Sequence, residues 1–277
     1  MIVMATACFA LLDGTAKSLA AMWPVIWVAW ARYTAQGLLM AVVLGPLRGR
    51  RLWHTRSPGR QGVRALFLLL TTLAVVTALQ RMPLAETTAV VFTAPLFVVL
   101  LSRRILGETV GVRRWIATAL GFAGALVVTR PGGGLTADGV LLAGFGALSL
   151  ALYQVMTRQL SHQEDPFVML FWNALVGTAL LTPVLPWVGT PDPINLGTMG
   201  QVLGLGLSAG LGHFLLIRAF REAPASLLSP VSYLQILAAA GVGWLFFGQL
   251  PDVTSFLGMT VIILAGALLA WDGRKPA

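Results

Sequence analysis

Charge is the first thing this chain lacks. Only 10% of its 277 residues are Asp, Glu, Lys or Arg, whereas a water-soluble domain carries roughly 25%. A surface so poor in charge cannot face water over most of its area. With 57% hydrophobic residues, the chain is expected to be integral to a lipid bilayer. Cysteine is almost missing as well. Cys8 stands alone, which excludes a disulfide framework and a cysteine-based zinc site. No G-x-x-x-x-G-K-[ST] run occurs, so ATP-driven pumping by this chain alone has no support. No metal, no cofactor and no enzymatic role are expected. Acidic residues are scarce too, 10 against 19 basic ones, giving a net charge of +9. The arginines sit in short gaps between apolar segments, which points to orientation in a bilayer and not to nucleic acid. The N-terminus lacks the basic start of a signal peptide, and Asp13 and Lys17 interrupt its apolar core. The segment is expected to stay as the first span.

What the chain does have is apolar length. A spanning helix needs about 20 residues, and ten such segments can be drawn, at approximately 2–21, 25–44, 64–82, 84–102, 113–129, 138–158, 167–188, 197–220, 224–247 and 253–271. Proline, glycine and charge punctuate the gaps. With the N-terminus in the cytoplasm, 15 basic residues fall in inner loops and the tail: Arg48, Arg50, Arg51, Arg56, Arg60, Arg64, Arg103, Arg104, Arg113, Arg114, Arg158, Arg218, Arg221, Arg274 and Lys275. Only Arg81 and Arg130 fall outside, and Lys17 and Arg32 lie within spans. This bias sets orientation and places both termini in the cytoplasm.

The chain repeats itself. Pro83–Glu108 returns as Pro224–Gln249, Gly37 aligns with Gly177, and Ala123-Gly124-Ala125-Leu126 returns as Ala265-Gly266-Ala267-Leu268. Two halves, 1–135 and 136–277, each hold five spans. Five is odd, so the second copy enters the membrane upside down. The fold expected is an all-α integral membrane protein, ten transmembrane helices in two inverted five-helix repeats around a central cavity, a plan common among secondary transporters. In the eighth span Gly200, Gly204, Ser208 and Gly212 form a stripe at four-residue spacing, which lets backbones approach closely in lipid.

Ionisable residues at membrane depth are costly and are functional candidates by default. Asp13 and Lys17 share one face of the first span, suited to meeting the ammonium and carboxylate of a zwitterion. By the repeat, Tyr153 stands opposite Asp13 and Thr157 opposite Lys17. Arg32, Tyr33 and Gln36 lie on the second span, with Trp172 and Asn173 as counterparts. Arg32 has Asp13 and Glu86 as candidate partners. Glu86 opens the fourth span, and His213 lies inside the eighth. In the ninth, Ser226, Ser229, Ser232, Tyr233 and Gln235 mostly recur every three residues, as one helix face does; Phe92 lies on the corresponding face of the fourth. Pro95 and Pro230 should kink these two spans, at positions that do not align. Gly206-Leu207-Ser208-Ala209-Gly210 matches G-x-S-x-G, but that motif needs a strand-turn-helix setting. Ser208 and His213 also point about 140° apart on a helix. An intramembrane hydrolase is the alternative of another class.

The stretches R-Y-x-x-Q at Arg32, L-A-E-x-x-A-x-x-F-x-x-P at Leu84, L-G-E-x-V-G-x-R-R-W at Leu106 and R-P-G at Arg130 resemble the EamA family of the drug/metabolite transporter superfamily over essentially the whole chain. Gln249 departs from the Glu usual there, and Ile236 from a common proline. The resemblance implies a basket of helices around a cavity in a bacterial inner membrane, moving small organic solutes by alternating access. Amino acids or similar zwitterions are the expected substrates, outward the expected direction. Uptake of riboflavin or S-adenosylmethionine is the alternative, and protons are a candidate coupling ion beside plain facilitated diffusion. Reporters fused to each terminus should both read out in the cytoplasm; either one outside overturns the orientation.

Overall fold

A computed structural model describes residues 1–79, 81, 87, 90–130, 136–193, 195–247 and 252–272. Among these, every regular element is helical. In chain order they are α1 (Ile2–Ala20), α2 (Val25–Arg48), α3 (Pro58–Leu79), α4 (Ala94–Ile105), α5 (Val112–Thr129), α6 (Ala137–Ser161), α7 (Pro166–Leu181), α8 (Leu196–Glu222), α9 (Ala225–Leu228), α10 (Leu234–Phe247) and α11 (Val253–Asp272). Eight helical stretches are long and apolar enough to cross a bilayer, and Val253–Leu268 is a shorter apolar one. The remaining span ends in α4. The protein is thus all-α, with ten spans in two inverted sets of five. Pro83–Glu86, Gln249, Arg274 and Lys275 lie outside the described residues.

Local chemistry sets most helix starts. Asp165 accepts from the Phe167 amide ahead of α7, with Pro166 in the first turn. Asn195 and Thr198 form a reciprocal capping box at α8. Pro24 and Pro224 sit at the starts of α2 and α9. Two spans begin or end differently from the sequence reading. α2 runs through Pro46 to Arg48 and continues as a 3-10 turn at Gly49–Leu52. α3 starts at Pro58, so Arg64, which the charge pattern assigned to an inner loop, is fully buried inside a helix.

Packing follows the repeat. α1 packs on α8, and its counterpart α6 packs on α3. α2 packs on α8 and α7 on α3; α1 on α10 and α6 on α4. Two pairs map onto themselves, α2 with α7 and α5 with α11. The α5–α11 contact depends on two glycines. A Cβ on Gly124 would meet Ile262 and the Gly258 backbone, and one on Gly258 would meet Val128 and the Gly124 carbonyl. In α8 the close approaches are at Gly206, against the Ala35–Gln36 backbone, and at Gly212, against Phe9 and Cys8. Gly200 and Gly204 face open space. The stripe inferred from four-residue spacing is therefore corrected: the helix turns its tight face through Gly206 and Gly212.

The fourth and ninth spans are both interrupted. Helical geometry gives way to a turn at Phe92–Thr93 just ahead of Pro95, and to a 3-10 segment at Ser229–Tyr233 containing Pro230. The three-residue step from Ser229 to Ser232 fits this tighter winding. The two breaks meet. Tyr233 Oη donates to the Phe92 carbonyl at 3.1 Å, Ser229 Oγ to the Pro95 carbonyl at 3.4 Å, and the Phe92 and Tyr233 rings are 5.7 Å apart. Although the prolines do not align in sequence, the kinks coincide in space, and Phe92 and Tyr233 are repeat counterparts.

On the face that carries the N-terminus, acidic side chains fasten the connections. Glu164 accepts from Thr55 Oγ1 and the Arg56 and Ser57 amides ahead of α3. Glu108 accepts from the Ala225 and Ser226 amides at 2.9 and 3.0 Å and from Ser226 Oγ at 2.6 Å. Arg158 lies 3.7 Å from the same carboxylate, and Arg114 donates to Ser226 Oγ at 2.9 Å. Glu108 thereby ties the end of the fourth span to the start of the ninth. On the opposite face Arg81 pairs with Asp138 and Arg130 with Asp252. Hydrogen bonds to a charged group contribute about 1.5–3 kcal/mol each. Glu108→Ala should lower stability by about 2–3 kcal/mol, read as an earlier thermal transition in detergent, with Glu108→Gln intermediate; an unchanged transition in both would refute the fastening role.

Candidate functional site

The polar interior is built on α2. Arg32 lies half-buried there with its guanidinium between α3 and α8. Nη1 donates to Thr72 Oγ1 at 2.9 Å, and Nη2 bonds His213 Nε2 at 2.8 Å. His213 Nδ1 lies 3.1 Å from Tyr153 Oη, and Asn173 Nδ2 lies 3.2 Å from the same oxygen. Tyr33 Oη shares Thr72 Oγ1 at 3.0 Å. Thr72 itself is held by the Leu68 carbonyl. Phe9 stands edge-on to the His213 ring, centroids 4.9 Å apart. Five helices thus converge on one chain of polar groups, and Tyr33, Tyr153, Asn173 and His213 are all buried.

A second buried cation stands behind this chain. Arg64 Nε and Nη2 donate to Gln61 Oε1 at 3.1 and 3.0 Å, Nη2 to the Met169 carbonyl at 2.5 Å, and Nη1 to Thr157 Oγ1 at 3.4 Å. Its guanidinium carbon lies 5.4 Å from the centre of the Tyr153 ring. None of these partners is a carboxylate. An ionised group at membrane depth costs several kcal/mol, of order 2.5–3.5 on insertion scales, and here neutral oxygens and an aromatic face offset that cost. Sequence reasoning missed Arg64 because an arginine near a span boundary reads as a loop residue. The signal that could have found it was Gln61 three residues before it on one helix face.

Across the interior, α1 contributes Asp13. Its Oδ2 accepts from Gln235 Nε2 of α10 at 2.7 Å. The Asp13 side chain is exposed although it lies mid-helix. Arg32 and Asp13 form no direct ion pair. Lys17 follows one turn later on α1, exposed.

The structure therefore brings together Arg32, Tyr33, Tyr153, Asn173 and His213, and pairs Asp13 with Gln235. Tyr153, the repeat counterpart of Asp13, bonds His213 and Asn173. Thr157, read as the counterpart of Lys17, accepts from Arg64 and donates to the Tyr153 carbonyl. Phe92 and Tyr233 belong to the crossing of the broken spans, a different place. The Trp172 indole donates to the Trp53 carbonyl at 3.4 Å, beside the 3-10 connection after α2. Glu86 lies outside the described residues. Ser208 makes no bond to His213; the two ring nitrogens of His213 face Arg32 and Tyr153, so no Ser–His pair forms on α8. Gln36 was noted only in passing on the second span; fully buried, it donates to the Leu170 carbonyl at 3.1 Å and ties α2 to α7.

These features define a multi-spanning carrier with polar groups inside a helical basket. The chain belongs to the EamA-like transporter family, whose model matches twice, at residues 1–130 and 137–271. It is 31% identical to a riboflavin transporter of Rhizobium johnstonii, covering 83% of this chain and 77% of that one. It is 27% identical to an S-adenosylmethionine uptake transporter of Rickettsia felis, over 85% and 80% of the two chains. A pseudopaline exporter of Pseudomonas aeruginosa is 27% identical over 95% and 92%. A solved crystal structure shares the fold, with a TM-score of 0.82 at 20% identity over 99% and 96% of the two chains.

The α2–α7 crossing positions the site. A Cβ on Gly177 would run into the Tyr33 ring, and one on Gly37 would stand 3.3 Å from Ala174. Gly177→Ala should push Tyr33 off Thr72 and cost about 1–3 kcal/mol, whereas Gly204→Ala, in open space, should be neutral. Thermal denaturation of the two variants side by side checks this, and equal transitions would contradict it.

Proposed function

We propose that the chain is a secondary transporter of small zwitterionic metabolites, amino acids first among them, exporting them across a bacterial inner membrane by alternating access. The observation that carries this reading is that, among the described residues, Arg32 and Asp13 each bond only neutral side chains. Arg32 keeps Nη hydrogens beyond those given to Thr72 and His213, and Asp13 keeps an oxygen beyond the one given to Gln235. A carboxylate can approach Arg32 while an ammonium approaches Asp13. Amino acids carry both groups on one carbon, and S-adenosylmethionine, the solute named for one relative, carries the same pair.

In this reading the halves 1–135 and 136–277 move against each other around the solute. Both termini lie in the cytoplasm, where the arginine-rich loops meet anionic headgroups. Asp13, Lys17, Arg32, Glu86 and Gln235 supply the polar contacts, with His213, Tyr33, Tyr153, Trp172, Asn173, Phe92 and Tyr233 completing the walls and crossings. The exposed Asp13 carboxylate is the group to examine for proton coupling. Outward direction rests on the family resemblance and on the exporter among the relatives.

The test is counterflow in proteoliposomes, with a panel of amino acids, S-adenosylmethionine and riboflavin presented side by side. The wild type should exchange amino acids. Arg32→Gln and Asp13→Asn should each lower the exchange rate about tenfold to a hundredfold, the equivalent of one charged hydrogen bond. Exchange of riboflavin alone, unaffected by either substitution, would sink the zwitterion reading in favour of a flat, uncharged solute.

A further inference from the structure

The hydrogen-bond chain behind Arg32 has a direction, and that direction assigns a role to His213. A guanidinium has no acceptor atom and cannot lose its proton in a protein. Arg32 Nη2, 2.8 Å from His213 Nε2, must therefore be the donor, and Nε2 must present a lone pair. The ring proton then has one place left, Nδ1, which lies 3.1 Å from Tyr153 Oη and donates to it. A doubly protonated imidazole would set an N–H against an N–H at Nε2.

The same logic carries on to Asn173. Drawn with Nδ2 toward Tyr153, the amide leaves Oδ1 buried without a partner, and the phenolic proton of Tyr153 without an acceptor. Which end of an amide carries oxygen is settled by the hydrogen-bond network. Turning the amide over gives the phenolic proton of Tyr153 an acceptor in Oδ1 and places the amide N–H groups where Oδ1 now stands. The chain then runs one way, Arg32 to His213 to Tyr153 to Asn173.

We infer that His213 and Tyr153 are positioning residues, not solute ligands: Arg32 locks His213 as the neutral Nδ1–H form, and in return the ring lone pair fixes the guanidinium so that its remaining N–H groups meet the carboxylate of the solute. This rests on the zwitterion reading above. It explains a mismatch in exposure. His213, Tyr153 and Asn173 are buried, 4%, 0% and 1% exposed, so a solute has no access to them in this state. Arg32 is half-buried and Asp13 exposed, and these are within reach. His213 is also shielded by the Phe9 ring edge. The histidine in the eighth span thus serves as a fixed acceptor for a cation.

Two measurements test this, and they fail separately from the function proposed above. The first is independent of any solute. In protein labelled with nitrogen-15 histidine, long-range nitrogen–proton correlation distinguishes the two ring tautomers. The chain has three histidines, and the His213 signals are those lost in His213→Gln. Protonated Nδ1 with unprotonated Nε2 is expected; a protonated Nε2 overturns the inference whatever the solute is. The second uses the solute that the counterflow panel identifies. In His213→Gln the side-chain oxygen can accept from Arg32 and the nitrogen can donate to Tyr153, so affinity should stay within about threefold of wild type. His213→Leu should weaken binding of the carboxylate form about tenfold while leaving its carboxamide analogue unchanged. Equal losses for both forms, or equal losses in the two variants, would make His213 a packing residue and overturn the positioning role. Should the leucine variant not fold, the tautomer measurement on the wild type still decides.

Discussion

A guanidinium inside a membrane protein has to be met by acceptors, and the interior of this protein is arranged around that requirement. Among the described residues, no carboxylate bonds Arg32 or Arg64. They are answered by hydroxyls, an amide oxygen, a main-chain carbonyl, an imidazole lone pair and an aromatic face. Neutral partners satisfy the donors but leave the charge uncancelled. That residual field is what a mobile anion can respond to, and a bonded counter-ion would have extinguished it. The cost falls on packing. Tyr33 can reach Thr72 only because Gly177 leaves room for its ring, and α2 can approach α8 only where Gly206 lacks a side chain.

The architecture was largely legible in the sequence because its signals are additive. A deficit of charge, ten apolar segments and landmarks recurring after about 141 positions accumulate over the whole chain, and single misreadings do not disturb them. The inverted plan then follows from the odd number of spans in each half. The family match over residues 1–130 and 137–271 reflects the same periodicity. Local signals fared worse. Four-residue spacing singled out Gly200 and Gly204, but a helix packs where it happens to cross a neighbour, and spacing alone cannot say where that is. The serines of the ninth span suggested one α-helical face; the winding changes to 3-10 from Ser229 on, and Ser226 and Ser229 are spent on Glu108 and the Pro95 carbonyl.

The site was legible as an inventory and not as a geometry. Asp13, Arg32, Tyr33, Tyr153, Asn173 and His213 stand out because polar side chains at membrane depth are expensive. Which of them meet depends on helix rotation, which no single sequence fixes. Repeat symmetry was a poor guide here. It matched Tyr153 with Asp13, whereas counterparts in an inverted repeat need not touch unless they lie on the axis that relates the halves. Trp172, the counterpart of Arg32, bonds the Trp53 carbonyl and not its counterpart. Arg64 was lost for the opposite reason, because it counted toward orientation.

Phe92 and Tyr233 do lie near that axis, and their contact has a mechanical meaning. Two continuous helices crossing in a membrane behave as rods, so tilting one end lifts the other. Here both rods are interrupted at the crossing, and the interruptions are joined by a hydrogen bond between repeat counterparts. The arrangement makes a shared pivot for the described segments on either side of the breaks. The segment fastened by Glu108 can stay in place while the segment beyond the break tilts. Rigid leverage along these two spans therefore does not oblige one mouth to shut when the other opens. That obligation passes to whatever else bridges the halves near the pivot.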